Sequence, residues 1–187
     1  MSTSVLVGYA THHGATRGIA ERIAARLRSD GVPADVRSVD EVRDVGPYDA
    51  FVIGSALYMF RWLREAKAFL HRHHDTLERR PVWLFSSGPL GADAENAGTD
   101  ASVTGPKDLG EIVASVHARG HRVFAGAYDP SAAPVGLVER LTRLMPAARD
   151  ALPAGDFRDW DEIDAWADEI AAWLRPIAAG DVRTGAG

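Results

Sequence analysis

Thr11-His12-His13-Gly14-Ala15-Thr16 stands between an apolar run, Val5 to Ala10, and a helical pattern of Ile19, Ala20, Ile23, Ala24 and Leu27. These residue types suit an anion. A loop that opens onto a helix offers backbone N–H groups and the positive end of the helix dipole, the setting in which phosphates are held. Gly14 lets the backbone come close, Thr11 and Thr16 carry hydroxyl donors, and Arg17 follows in the first helical turn. The spacing matches neither the Walker phosphate loop nor the glycine-rich dinucleotide fingerprint, so ATP and NAD lose support as the primary ligand. A capped turn between strand and helix has much the same composition. The loop by itself leaves both readings open.

Two further segments carry unusual chemistry. Gly54-Ser55-Ala56-Leu57-Tyr58-Met59-Phe60-Arg61-Trp62 follows a buried-looking run, Ala50 to Gly54, where a polar loop is the norm. Its apolar and aromatic residues suit the faces of a planar ring such as an isoalloxazine, and Tyr58 is the candidate to stack on it. The competing reading is cover for the sheet edge. For Trp62, on the apolar face of the next helix, core packing is preferred. Ser86-Ser87-Gly88-Pro89-Leu90-Gly91 offers hydroxyls and backbone groups to the edge of such a ring, or is simply a Gly/Pro turn.

These segments need a frame. Strand and helix patterns alternate, which predicts an α/β fold. The strands are read as Val5 to Ala10, Ala34 to Val39, Ala50 to Gly54, Pro81 to Phe85 and Arg122 to Ala127. The second, shorter and more polar, suits a place near the sheet edge. A doubly wound, five-stranded parallel sheet in the order 2-1-3-4-5, with helices on both faces, fits this succession, and ligands there sit beyond the carboxyl ends of the strands. The three segments singled out follow strands 1, 3 and 4. Residues 1–175 are read as one domain and 176–187 as a flexible tail. An insertion at about 128–158 carries helical spacing at Leu137, Val138, Leu141, Leu144 and Met145. It packs on the core or meets a membrane or partner; the spacing does not choose. Asp159 is expected to cap the last helix, whose apolar face runs from Ile163 to Leu174.

Composition narrows the function classes. The 187 residues carry a net charge of -5 and no cysteine. Disulfides, thiolate metal sites and iron–sulfur clusters are therefore excluded, and redox chemistry here needs a bound cofactor. The charge argues against a nucleic-acid partner. No secretory leader and no apolar stretch of the ~20 residues that span a bilayer is evident, so a cytoplasmic protein is expected, with peripheral membrane contact left open. His71, His73 and His74 are read as a solvated basic helix face with Arg61, Arg64, Lys67 and Arg72, and no metal site is expected. His117 and His121 are read as loop residues.

Tyr9-Ala10-Thr11-His12-His13-Gly14-Ala15-Thr16 resembles the FMN-phosphate loop of the flavodoxin superfamily, and within it the flavodoxin-domain family that includes menaquinone-dependent protoporphyrinogen oxidases. Gly54-Ser55-Ala56-Leu57-Tyr58, with Trp62 and Ala66, resembles that family's second loop and helix. Phe85-Ser86-Ser87-Gly88-Pro89-Leu90-Gly91 resembles its third loop, and Gly155-Asp156-Phe157-Arg158-Asp159-Trp160 the approach to its last helix. The likeness spans residues 4–175. It implies FMN as cofactor, bound by Thr11 to Thr16, Ser55 to Met59 and Ser86 to Gly91. It also implies an oxidoreductase moving two electrons between FMN and a small molecule, a porphyrinogen or a quinone. One departure is Phe60, where that family often has glycine. The alternative is a flavodoxin electron carrier serving redox proteins. Carriers of that kind are commonly acidic around the flavin, and the basic helix after Tyr58 tilts the reading towards an enzyme. No residue is singled out as catalytic.

Overall fold

Three apolar runs, Val5–Ala10, Ala50–Tyr58 and Val82–Ser87, bury both of their faces, and two more polar strands flank them. A computed structural model describes residues 3–58, 60–88, 108–128 and 155–178 of the chain. Strands β1 (Val5–Ala10), β2 (Ala34–Ser38), β3 (Ala50–Tyr58), β5 (Val82–Ser87) and β6 (Gly120–Phe124) form one parallel sheet in the order β2-β1-β3-β5-β6. A two-residue strand, β4 (Arg61–Trp62), pairs antiparallel with the end of β3. The parallel strands thus follow the expected succession, with β4 added and β2 at the edge.

Helices cover both faces. On one side α1 (Ala15–Ser29) and α5 (Trp160–Ala178) pack on Val5, Val7, Val52 and Phe85. On the other, α2 (Arg64–Arg72), α3 (His74–Leu77) and α4 (Leu109–Ser115) meet Leu6, Phe51, Ile53 and Leu84. Alternate residues of one strand enter opposite cores, so the strands read as continuous apolar runs. Along their length α1 and α5 are joined by Arg22–Asp164 (2.6 Å) and Arg26–Asp168 (2.5 Å). Both arginines are largely exposed, so these pairs set register more than stability. Asp159 caps α5 as foreseen: its Oδ1 accepts from the N–H groups of Asp161 and Glu162, each at 3.0 Å.

Several boundaries differ from expectation, and cross-strand pairing is the reason. β3 runs four residues past Gly54, because Leu57 pairs with Trp62 and Tyr58 with Arg61. β5 extends through Ser86 and Ser87, held by Ser55 and Ala56. Trp62 lies in β4 and not on the helix, and His73 divides the expected long helix into α2 and α3. β6 starts at Gly120, because Leu84 pairs with His121. His121 is therefore a strand residue, contrary to its reading as a loop residue. His73 likewise leaves the solvated face: its ring lies 4.8 Å from that of Phe69, and burial lowers its pKa. A separate ribbon, β7 (Ala127–Tyr128) with β8 (Gly155–Asp156), joins the two ends of the insertion. The helix expected at Leu137 to Met145 lies outside the described residues.

Candidate functional site

The parallel register sets the site's plan. Ala10 stands beside Ser55, and Ser55 beside Ser86, so the three predicted segments leave the sheet at adjacent positions. This is the carboxyl edge, where doubly wound sheets place their ligands.

The first segment turns sharply into α1. Gly14 sits at the N-cap with φ 86°, a left-handed conformation that glycine adopts without a Cβ clash. Its N–H donates to Thr11 Oγ1 at 3.0 Å, so Thr11 shapes the loop. No side chain caps α1. The start of this helix keeps its free N–H groups and its positive dipole for something else. Thr16 is fully buried, and its hydroxyl has no hydrogen-bond partner among the described residues. A buried polar atom without a partner is costly in a folded chain, and a ligand oxygen would relieve it. Arg17, read as a charge for this loop, instead pairs with Glu21 at 2.8 Å along the helix. His12, His13 and Gly14 are exposed and Ala15 is half-buried.

Facing this loop is a segment that the sequence did not mark as part of the site. A cavity of about 390 Å³ is bounded by His13, Gly14 and Ala15 on one side and by Ala127, Gly155, Asp156 and Arg158 on the other. Arg158 forms a fork with Asp156, Nε to Oδ1 at 2.7 Å and Nη2 to Oδ2 at 2.5 Å, and the guanidinium holds the Asp156 carboxyl below its usual pKa. The one sequence signal for this arrangement is Gly155-Asp156-Phe157-Arg158 itself, 143 residues from the loop it faces.

The ring end is built differently. Tyr58 and Phe60 are large exposed side chains at the edge of the sheet, 42% and 49% accessible, and the rings of Tyr58 and His12 lie 6.4 Å apart. Phe60 holds φ 59°, a strained state for a residue with a Cβ. Ser86, read as a donor to a ring, and Ser55, which the resemblance places among the FMN-binding residues, spend their hydroxyls inside the protein. Ser55 Oγ accepts from Leu63 N–H (3.0 Å) and donates to the Ala56 carbonyl (2.9 Å). Ser86 Oγ accepts from Trp62 Nε1 (2.8 Å) and lies 2.8 Å from His121 Nε2. Burial pushes the His121 pKa down to about 4, so the imidazole is neutral. Indole can only donate, so Ser86 Oγ accepts from Trp62, while the direction of its bond to His121 follows the imidazole tautomer. Trp62 is core, as preferred from sequence, with this relay added. Ala56 and Leu57 are half-buried, and Ser87 is buried beside them. Gly88 N–H donates to the Phe124 carbonyl at 2.9 Å, which ties the third segment to β6. Met59, Pro89, Leu90 and Gly91 lie outside the described residues. Among the described residues, no group of three or more His, Asp or Glu side chains is placed to hold a metal ion. No helix among them is long and apolar enough to cross a membrane.

The chain matches the flavodoxin domain family over residues 6–139. No curated protein matches the sequence. Solved structures share the fold. A flavodoxin from the domain Archaea is 16% identical with TM-score 0.56, covering 92% of this chain and 99% of its own. A flavodoxin variant from Pseudomonas aeruginosa is 14% identical with TM-score 0.54, covering 94% and 99%. Rubredoxin oxygen:oxidoreductase from Desulfovibrio gigas reaches TM-score 0.59 at 14% identity, over 92% of this chain and 36% of that one. At such identities the likeness is one of fold, and none of it points to protoporphyrinogen oxidase. The residues present fit FMN: an uncapped helix start and a buried unpartnered hydroxyl suit its phosphate, and exposed aromatic side chains suit its ring. The chain belongs to the flavodoxin-domain family, and its cofactor is FMN.

Proposed function

We propose that this chain is an FMN-dependent oxidoreductase that binds the FMN phosphate at Thr11 to Thr16 and exchanges two electrons between FMN and a small molecule of the quinone or porphyrinogen class. The observation that carries the phosphate placement is the buried Thr16 hydroxyl, left without a partner at the uncapped start of α1. When bound, FMN supplies the chemistry, taking up and releasing electrons at its ring. The protein's own residues bind and orient it. The α1 N–H groups and Thr16 hold the phosphate, and Tyr58 covers a ring face. The Trp62–Ser86–His121 contacts tie β4 and the carboxyl end of β5 to the start of β6 through groups that carry no charge. The enzyme reading draws on the exposed Arg61 and Arg64 that follow the ring segment, where a carrier with basic partners would place carboxylates.

A second reading, an electron carrier for a protein partner, draws on the exposure of Tyr58 and Phe60, which leaves aromatic edges open to a docked surface. Anaerobic stopped-flow with the FMN-loaded chain separates the two. Reduction by protoporphyrinogen and rapid reoxidation by menadione are expected for the enzyme. Fast exchange only with redox proteins such as ferredoxin or a flavodoxin reductase would overturn it in favour of the carrier.

A further inference from the structure

We propose that Arg158 is a preformed anchor for the FMN phosphate, carried to the loop by the segment that closes the insertion. The inference rests on the FMN reading above and adds a charged ligand to a site otherwise made of backbone N–H groups and hydroxyls.

The guanidinium is held on three sides. Asp156 engages Nε and Nη2 in a two-point fork. The ring of Trp160 lies under the guanidinium carbon at 4.4 Å. The third side is a notch in α1: a Cβ built on Gly18 would lie 2.4 Å from Nη1. Any other residue at 18 would displace the guanidinium. Among the described residues the pairing leaves Nη1 without a carboxylate partner, and its one hydrogen bond there is a long one, 3.5 Å to the Ala15 carbonyl at the first residue of α1. The Arg158 side chain is 17% exposed and Asp156 47%, so water screens the carboxylate more than the cation. The guanidinium and Gly14 bound the same cavity. The remaining Nη1 donor of this charged guanidinium, fixed at a helix start, is well suited to a phosphate oxygen.

A strap that merely pins the segment before α5 onto α1 would show the same fork and stacking. The two roles part in what they do to phosphate selectivity. Apoprotein of the full chain is titrated with FMN and with riboflavin, which share the ring and differ in the phosphate, following quenching of flavin fluorescence. Arg158→Met is expected to weaken FMN by about tenfold or more, the scale of a lost charge-assisted hydrogen bond, and to leave riboflavin unchanged. Gly18→Ala keeps the arginine, favours the helix, and fills the notch, so it is expected to lower FMN affinity in the same direction without loss of thermal stability. Raised ionic strength is expected to reduce the FMN preference of the unaltered chain more than that of Arg158→Met. An FMN-to-riboflavin ratio equal to that of the unaltered chain in both variants would overturn the anchor and leave the FMN site standing. Equal affinity of the unaltered chain for FMN and riboflavin would overturn the phosphate site itself, and the anchor with it.

Discussion

The proposed phosphate end and ring end of this site rest on opposite physics. At the proposed phosphate end the protein holds donors and charge in reserve: free helix N–H groups, a buried hydroxyl without a partner among the described residues, and an arginine beside the cavity. At the ring end the polar atoms are already satisfied. Ser55 and Ser86 bond inward, His121 is neutral, and the rings of Tyr58 and Phe60 are exposed beside Arg61. The first arrangement suits an anion. The second suits the face of a planar ring. An unsatisfied group near a ligand signals binding, and a satisfied one signals support.

The largest effect is expected beside the ring end. Phe85, next to Ser86 in β5, is fully buried in the core under α1 and α5, with its ring 6.1 Å from Phe124 and 6.3 Å from Trp166. Its ring also fills the space where a Cβ on Gly54 would stand, 2.0 Å away. Phe85→Ala is expected to cost about 3–5 kcal/mol in urea denaturation, with FMN binding lost along with the fold. Thr16→Val acts on the other end and in two directions. It removes the buried unpartnered hydroxyl, so the unliganded chain is expected to gain up to about 1 kcal/mol, while FMN affinity falls by about 10- to 100-fold. Melting curves and fluorescence titrations of the same variant check both signs.

His121 extends the comparison to pH. Its folded pKa, about 4, lies below its ordinary 6.5. Between these values the unfolded chain binds the extra proton and the folded chain does not. Stability therefore falls as pH drops from 6.5 towards 4 and levels off below it. The expected loss from this group is about 1–2 kcal/mol, since it is not wholly out of water. His121→Gln is expected to flatten that slope in denaturation series at pH 4.5 and 7. The smallest effect concerns the hairpin tip. Phe60→Gly relieves the positive φ but frees the unfolded chain, and a net gain below about 1 kcal/mol is expected from thermal melts.

What the sequence made legible follows the same divide. The first segment is local: strand, loop and helix start are contiguous from Val5 to Leu27, so its strand-loop-helix geometry could be read from spacing. Asp159 and its cap were legible for the same reason. The ring end depends on register. Whether Ser86 faces a ligand or Trp62 is set by the pairing of β3, β4 and β5, and His121 joins only because Leu84 pairs with it. Loop and strand end look alike along one chain. Arg158 is the hardest case, because its partner Ala15 is 143 residues away and only the β7–β8 ribbon brings the segment back. Arg17, adjacent in sequence, was the natural candidate and turned out to pair with Glu21.

The central claim is that a phosphate, and not only a flavin ring, is held at the start of α1. Amide ¹H–¹⁵N spectra of the labelled apoprotein, recorded with saturating FMN and again with riboflavin, test it most directly. The account predicts large shifts of the Gly14, Ala15 and Thr16 amides with FMN and small ones with riboflavin, while Tyr58 and Ser87 respond to both. Unmoved Gly14 to Thr16 amides in the FMN-saturated protein would contradict it.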